Sequence, residues 1–201
     1  MNSIGSICVY CGSATGHDPR FLEAARALGR SMASAGIKLV YGGGSIGLMG
    51  ATARAVLDHG GHVTGIIPDF LMQKEKMLSD VQENVIVPDM HTRKRAMFER
   101  ADAFVALPGG VGTLEELVEQ LTWAQLGRHR KPILLLSVAD FYKPLLVLFA
   151  HMREAGFIRP GYELGYLVAE RVEDVVPMLR AAARRRGESE PGAEALIESK
   201  F

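Results

Sequence analysis

Short apolar runs and amphipathic stretches alternate along most of the chain, and this alternation is what most limits its possible folds. Apolar runs predict seven β-strands, at residues 4–10, 37–41, 62–67, 85–88, 103–107, 133–137 and 165–168. Helical periodicity predicts helices at residues 19–35, 47–59, 91–101, 113–126, 141–155 and 172–186. Alternating strands and helices form parallel sheets, and continuously apolar strands are covered on both faces. We therefore expect a single-domain α/β fold with a doubly wound, Rossmann-like parallel sheet and helices on both faces.

Size and charge narrow the classes of protein further. The 201 residues, 48% of them hydrophobic, supply one sizeable core, which we place in residues 1–186. Residues 187–201 are polar, contain glycine and proline, and are expected to form a disordered tail. Lys plus Arg number 23, as do Asp plus Glu, so no overall charge attracts nucleic acid. The chain shows no signal peptide and no apolar stretch of about 18 residues. We expect a cytoplasmic protein that binds neither nucleic acid nor membrane.

Cys8 and Cys11 form a C-x-x-C pattern, which can mark a redox or metal site. They lie along a predicted strand, where their odd separation turns them to opposite faces. No further cysteine exists to complete a metal site, and the scattered histidines form no H-E-x-x-H motif. We predict that both cysteines are packing residues and that the protein holds no metal.

Two glycine-rich loops follow predicted strands, at the edge where open parallel sheets bind ligands. Residues 41–50 read YGGGSIGLMG, and residues 107–116 read LPGGVGTLEE. Glycine lets the backbone approach a ligand, and the next helix presents free N–H groups and the positive end of its dipole. The two loops therefore predict a phosphate site.

The first loop also fits the dinucleotide pattern G-x-G-x-x-G through Gly42, Gly44 and Gly47, with Asp69 after the next strand. This pattern normally follows the first strand of the sheet, whereas here it follows the second. The chain also lacks room for the separate catalytic domain of a dehydrogenase. We therefore favour a monophosphate over a dinucleotide.

A basic cluster, MHTRKRAM at residues 90–97, lies at a predicted helix start. A solvated surface can carry such charges. Cations at a helix N-terminus oppose the helix dipole, however, unless an anion binds there. We select Arg93 as a functional residue and expect Arg95 and Arg100 to lie at the surface.

Glu116 has two interpretations. Residues 113–116 read T-x-x-E, a capping box in which Glu116 would only bond back to the backbone of Thr113. A carboxylate so close to a phosphate is repelled by it, and it is better explained by an electron-poor centre beside the phosphate. An oxocarbenium-like ribosyl carbon is such a centre. The residues alone leave both interpretations open.

At these residues the sequence resembles the "lonely guy" family of cytokinin riboside 5′-monophosphate phosphoribohydrolases, whose members were often labelled lysine decarboxylases. The family pattern P-G-G-x-G-T-x-x-E stands complete at residues 108–116, and M-H-x-R-K stands at residues 90–94. The loop at residues 42–50 and the segment TWAQLG at residues 122–127 are also similar. The resemblance extends from about residue 4 to about residue 176.

The resemblance implies hydrolysis of the N-glycosidic bond of an adenosine 5′-monophosphate, without a cofactor and typically in a homodimer. Arg93 and Glu116 become the catalytic pair. The predicted substrate-binding residues are Ser13, Gly43, Gly44, Ser45, Glu75, Met90, Arg93, Lys94, Gly109, Gly110, Val111, Gly112, Thr113, Leu114, Glu115, Glu116 and Thr122. Glu75 lies in a charged run typical of surfaces, and Thr122 lies mid-helix, where a hydroxyl often bonds its own backbone.

Two other functions compete. A non-catalytic nucleotide-sensing or nucleic-acid-binding module would use the same loops without chemistry, although it would not explain Glu116. A pyridoxal phosphate-dependent decarboxylase would need a Schiff-base lysine, for which Lys94 or Lys131 could be proposed. The residues also leave open whether the substrate base carries an isoprenoid N6 substituent or is plain adenine.

Overall fold

The computed structural model describes residues 4–72, 78 and 80–188, with side chains to residue 185, and shows a seven-stranded parallel sheet. The strands are β1 (Ser6–Tyr10), β2 (Lys38–Tyr41), β3 (Val63–Pro68), β4 (Glu83–Val87), β5 (Ala103–Ala106), β6 (Ile133–Leu136) and β7 (Leu167–Ala169). Their order across the sheet is β4-β3-β2-β1-β5-β6-β7. Every neighbouring pair is parallel. The predicted doubly wound α/β fold is confirmed.

Within the described residues six α-helices accompany the sheet: α1 (Pro19–Ser34), α2 (Gly47–Asp58), α3 (Met90–Arg100), α4 (Val111–Gln125) and α5 (Lys143–Glu154), and α6 (Val172–Glu188), which follows the last strand. The sequence had not predicted two short 3-10 turns, Asp69–Leu71 and Val138–Asp140. None of the helices in the described ranges has the length and apolar character that crossing a bilayer requires. The predicted tail falls largely outside the described residues.

Two apolar cores sandwich the sheet, and β1 contributes alternate residues to each. Ile7 and Val9 belong to the core shared with α1, α2 and α6, whereas Cys8 and Tyr10 belong to the core beneath α3, α4 and α5. Cys11 lies in the first of these cores. Cys8 and Cys11 are therefore buried on opposite faces as free thiols, as predicted.

The start of α4 differs from the sequence prediction, which placed it at Thr113. The helix begins at Val111, and its N-cap is Gly110, which has an extended backbone and no side chain to cap with. Thr113 is therefore the third residue inside the helix and cannot be the N-cap of a capping box. The T-x-x-E pattern predicted the wrong start because glycine and valine are weak helix formers, and here the fold overrides that preference.

Candidate active site

The candidate site lies at the carboxyl edge of the sheet, between β1 and β5, where the strand order reverses. This is the position at which open α/β sheets bind ligands. A cleft of about 230 Å³ opens there. Its walls come from the loops after β1 and β5, from α1 and α2, and from the residue after the second 3-10 turn: Gly12, Ser13, Ala14, Thr15, Gly16, Phe21, Leu48, Pro108, Gly109, Gly110 and Phe141.

The N-terminus of α4 is open beside this cleft. No acceptor among the described residues contacts the N–H groups of Val111, Gly112 and Thr113. Side chains added at Gly110 or Gly112 would meet only open space. At Gly109, in contrast, a Cβ would collide with the Thr113 side chain and lie 2.9 Å from the Gly12 nitrogen. The loop is thus closely packed at Gly109 and open at Gly110 and Gly112. The free N–H groups of Val111, Gly112 and Thr113 lie at the positive end of the α4 dipole.

The first glycine loop leads into a helix whose first turn, unlike that of α4, is already hydrogen-bonded. The carbonyl of Gly12 accepts hydrogen bonds from the N–H groups of Leu48 (3.0 Å) and Met49 (3.3 Å), so the first turn of α2 is already bonded. Gly43 and Gly44 are buried, and Ser45 is half-buried. The loop instead packs against its neighbours, and Gly43 needs glycine because its φ is +83°.

Arg93 extends from α3 to the loop after β2 and to the interior of β3. Its guanidinium donates to the carbonyl oxygens of Ile66 (3.2 Å) and Gly42 (3.4 Å). Any side chain at residue 42 would collide with this guanidinium. The N-terminus of α3 is capped by Asp89, which accepts from the Thr92 N–H and hydroxyl. Arg93 therefore lies inside α3, after the residues that Asp89 caps. Its side chain is buried and bonded to backbone carbonyls.

Glu116 faces Arg93 across the gap between α4 and α3. Arg93 Nη1 lies 3.6 Å from Glu116 Oε1, which is an ion pair without a direct hydrogen bond. Both side chains are about nine-tenths buried. Burial raises the pKa of Glu116 from 4.5 to about 7, against the opposing effect of Arg93. Glu116 is thus a carboxyl that can take up or release a proton near neutral pH.

Lys94 makes contacts that the sequence did not predict. Its ammonium lies 2.5 Å from Glu115 Oε1 and 2.9 Å from Glu119 Oε1. Lys94 and Glu115, both predicted as substrate ligands, are therefore bonded to each other. Sequence reasoning missed Glu119, although its place one turn after Glu115 on the same helix was a signal that could have been used.

The other predicted residues are distributed unevenly. Met90 is half-buried beside Arg93, with its sulfur 3.8 Å from Nη1, and Ser13 is exposed at the cleft. Leu114 is exposed on α4. Thr122 is also exposed. Its hydroxyl donates to the Val118 carbonyl (2.8 Å) of its own helix, as is common for a threonine in the middle of a helix. Glu75 lies outside the described residues.

The described ranges contain no group of three His, Cys, Asp or Glu side chains that could hold an ion. Lys131 donates to the Phe98 carbonyl (2.6 Å), and its ammonium lies 4.0 Å from the centre of the Phe98 ring. Lys131 is not among the residues that line the cleft, and neither are Arg93, Lys94 and Glu116.

Comparisons with known proteins agree with the sequence resemblance. A family model described as "Possible lysine decarboxylase" matches residues 49–179. A protein of Oryza sativa subsp. japonica, named a probable cytokinin riboside 5′-monophosphate phosphoribohydrolase, is 54% identical over 155 residues, which cover 77% of this chain and 70% of that protein. A cytokinin riboside 5′-monophosphate phosphoribohydrolase of Arabidopsis thaliana is 47% identical over 185 residues, which cover 92% of this chain and 82% of that protein.

The fold also occurs in a solved structure with low sequence identity. The Moco carrier protein from Chlamydomonas reinhardtii superposes with a TM-score of 0.67 at 22% identity, covering 91% of this chain and 99% of that chain. At this identity the match concerns the fold alone.

Proposed function

The chain belongs to the family of cytokinin riboside 5′-monophosphate phosphoribohydrolases, and on that premise we propose that it hydrolyses the N-glycosidic bond of adenosine 5′-monophosphates. The substrates include N6-substituted forms such as cytokinin riboside 5′-monophosphate, and AMP itself. The products are the free base and ribose 5-phosphate. The observation that carries the proposal is the buried Arg93–Glu116 pair beside the open N-terminus of α4.

The 5′-phosphate binds to the free N–H groups at the start of α4, where the helix dipole favours an anion. A helical side chain leans toward the N-terminus of its helix, so Glu116 points back toward this phosphate site. The proposal places the ribose between this phosphate site and Glu116. Removal of a buried carboxylate from water is costly, and a positive centre on the sugar offsets that cost.

Cleavage of the bond between C1′ and the base nitrogen leaves positive charge on the sugar and negative charge on the base. Glu116 stabilises the sugar cation and accepts a proton from the water that adds to C1′. The base leaves with the bonding electrons and takes up a proton from bulk water, and Glu116 afterwards returns the proton it accepted to bulk water, so the net reaction consumes one water molecule. Arg93, always protonated and held by the Ile66 and Gly42 carbonyls, orients Glu116 and interacts with the departing base.

The two competing functions lack comparable support. A non-catalytic nucleotide module gives no role to the buried Glu116 carboxyl that faces Arg93. A decarboxylase using pyridoxal phosphate needs a free lysine at the cleft, whereas Lys94 is bonded to two carboxylates and Lys131 to the Phe98 carbonyl.

Product analysis tests the proposal. With AMP or its N6-prenyl analogue we expect release of the free base and ribose 5-phosphate in equal amounts. Adenosine lacks the phosphate that binds α4, so kcat/KM should fall at least a hundredfold for the nucleoside. Comparable kcat/KM values for AMP and adenosine would contradict the phosphate site, and no base release from any of the three would contradict the proposed activity.

A homodimer, which the resemblance implies, has its own support. Val111, Leu114 and Val118 are exposed at intervals of three and four residues, so they form one apolar face of α4. Thr122 continues this face. We propose that a second copy of the chain covers it, and that Thr122 contributes to a substrate site only through that contact. Light scattering should give twice the chain mass for the protein and a lower mass for Val118→Asp. The cytoplasmic location remains a prediction, which cell fractionation tests.

A further inference from the structure

The ion pairs between α3 and α4 form two layers that differ in their place relative to the proposed reaction. Arg93 faces Glu116 at 3.6 Å, and the next residue, Lys94, contacts Glu115 and Glu119. Glu116 therefore lies on a helix that carries two further carboxylates, immediately beside it and one turn away. Without a neutralising cation, these two carboxylates would repel a negative charge on Glu116.

Lys94 supplies that cation, and its contacts leave it poorly placed to bind a substrate. Its side chain is only 11% exposed, and its ammonium is directed at Glu115 Oε1 and Glu119 Oε1. Glu119 is about four-fifths buried, and its second oxygen has no hydrogen-bond partner among the described residues. A substrate phosphate that recruited the ammonium would leave the Glu119 carboxylate buried without a counter-ion, which is costly.

We propose that Lys94 is a positioning residue that neutralises Glu115 and Glu119 and thereby keeps Glu116 available as a carboxylate for the reaction. This inference rests on the proposed function, because it assigns Lys94 to the same site. It differs from the role implied by the family resemblance, in which Lys94 lines the substrate.

The charge balance around Glu116 supports this role. The charged groups beside it are Arg93 and Lys94 on α3 and Glu115 and Glu119 on α4. The Cys8 thiol and the Tyr10 hydroxyl of β1 lie on the same face of the sheet as α4, whereas the Cys11 thiol, just after β1, lies in the core on the other face. Burial raises the pKa values of these two thiols and of the Tyr10 hydroxyl far above neutrality, so all three are uncharged. Two cations then face three carboxylates. Removal of Lys94 leaves one cation for three, and the pKa of Glu116 rises further because its neighbours Glu115 and Glu119 are no longer neutralised.

The experiment measures the pH dependence of kcat/KM and the KM for AMP in wild type, Lys94→Met, Lys94→Arg and the double variant Lys94→Met/Glu119→Gln. Arg95→Met is the matched control, because Arg95 is the next residue on α3 but is exposed and pairs only with Glu99 among the described contacts. The double variant removes the cation and one of its two partners together, so it also guards against misfolding of the single variant.

In Lys94→Met we expect the acidic limb of the profile to move upward by on the order of one pH unit, with KM and the alkaline plateau changed less than about threefold. Lys94→Arg should retain the wild-type limb, and the double variant should move it back toward wild type. Arg95→Met should not move it.

Three results would overturn the inference. A tenfold rise in KM with an unmoved limb would make Lys94 a substrate ligand. A lower melting temperature with unchanged limb and KM would make it only a structural ion pair. A limb shift that the double variant fails to reverse would exclude neutralisation of Glu119.

Failure of the proposed function is a separate outcome, seen as no base release by wild type. In that case NMR gives the pKa of Glu116 directly, from the chemical shift of its side-chain carboxyl carbon as a function of pH. The signal is assigned by its loss in Glu116→Gln. A value in Lys94→Met equal to that of wild type would still overturn the inference.

Discussion

Glu116→Gln is the most discriminating substitution in this protein, because glutamine keeps the size and hydrogen-bonding shape of the side chain while removing its charge and basicity. The structure excludes a capping box formed by Thr113, since α4 begins at Val111. The substitution should therefore affect chemistry and not the helix terminus. We expect kcat to fall by roughly 10²- to 10⁴-fold, the usual contribution of a positioned acid or base. Binding of AMP should persist, because the free N–H groups of α4 are unchanged.

The same variant should change how stability depends on pH, and the size follows from the raised pKa. Glu116 titrates at about 7 in the fold and near 4.5 in the unfolded chain. Between these values the folded protein holds a proton that the unfolded chain has released. Raising the pH through this window therefore lowers the free energy of unfolding of wild type, by about 3 kcal/mol in full. The glutamine side chain carries no such proton, so the variant should gain up to that amount relative to wild type above pH 7.

Chemical denaturation at pH 5 and pH 8, with kcat and AMP affinity measured on the same preparations, tests both expectations. The difference in unfolding free energy between variant and wild type should be larger at pH 8 than at pH 5. If kcat stays within threefold of wild type, Glu116 is not the catalytic carboxylate. If the two proteins show the same pH dependence of stability, burial does not raise the pKa of Glu116 as described.

Two further substitutions examine the cation opposite Glu116. Gly42→Ala places a methyl group against the Arg93 guanidinium, so kcat should fall at least tenfold. The control is Gly165→Ala, whose methyl group meets open space and should leave kcat and melting temperature unchanged. Equal activities in the two variants would contradict the bracing of Arg93 by the loop after β2. Arg93→Ala should abolish most turnover and lower the melting temperature more at pH 9 than at pH 5, because it leaves a buried carboxylate unpaired. A uniform stability loss at both pH values would assign Arg93 a packing role instead.

The fold could be predicted because its signals are local and repeated. Each strand is a short apolar run, each helix has an apolar face, and residues 103–107 and 133–137 correspond closely to β5 and β6. The opposite orientations of Cys8 and Cys11 likewise follow from the two-residue period of a strand. The start of α4 was predicted wrongly because the local preference for a threonine cap competed with a packed glycine turn, in which Gly109 contacts Thr113 and Gly12.

The site could be predicted only as far as its residue types, because the partners of each charged group depend on how α3 and α4 pack against the sheet. Arg93 and Lys94 are adjacent in sequence and carry the same charge, so no local pattern distinguishes them. On a helix, successive side chains point about 100° apart. This rotation directs Arg93 to Glu116 and to the carbonyls of Gly42 and Ile66, while Lys94 turns to Glu115 and Glu119. One cation therefore reaches the proposed reacting carboxylate, and the other reaches the carboxylates beside it. Exchanging the two residue types should not preserve activity, since lysine at residue 93 cannot donate to the Gly42 and Ile66 carbonyls while facing Glu116 in the planar geometry of a guanidinium.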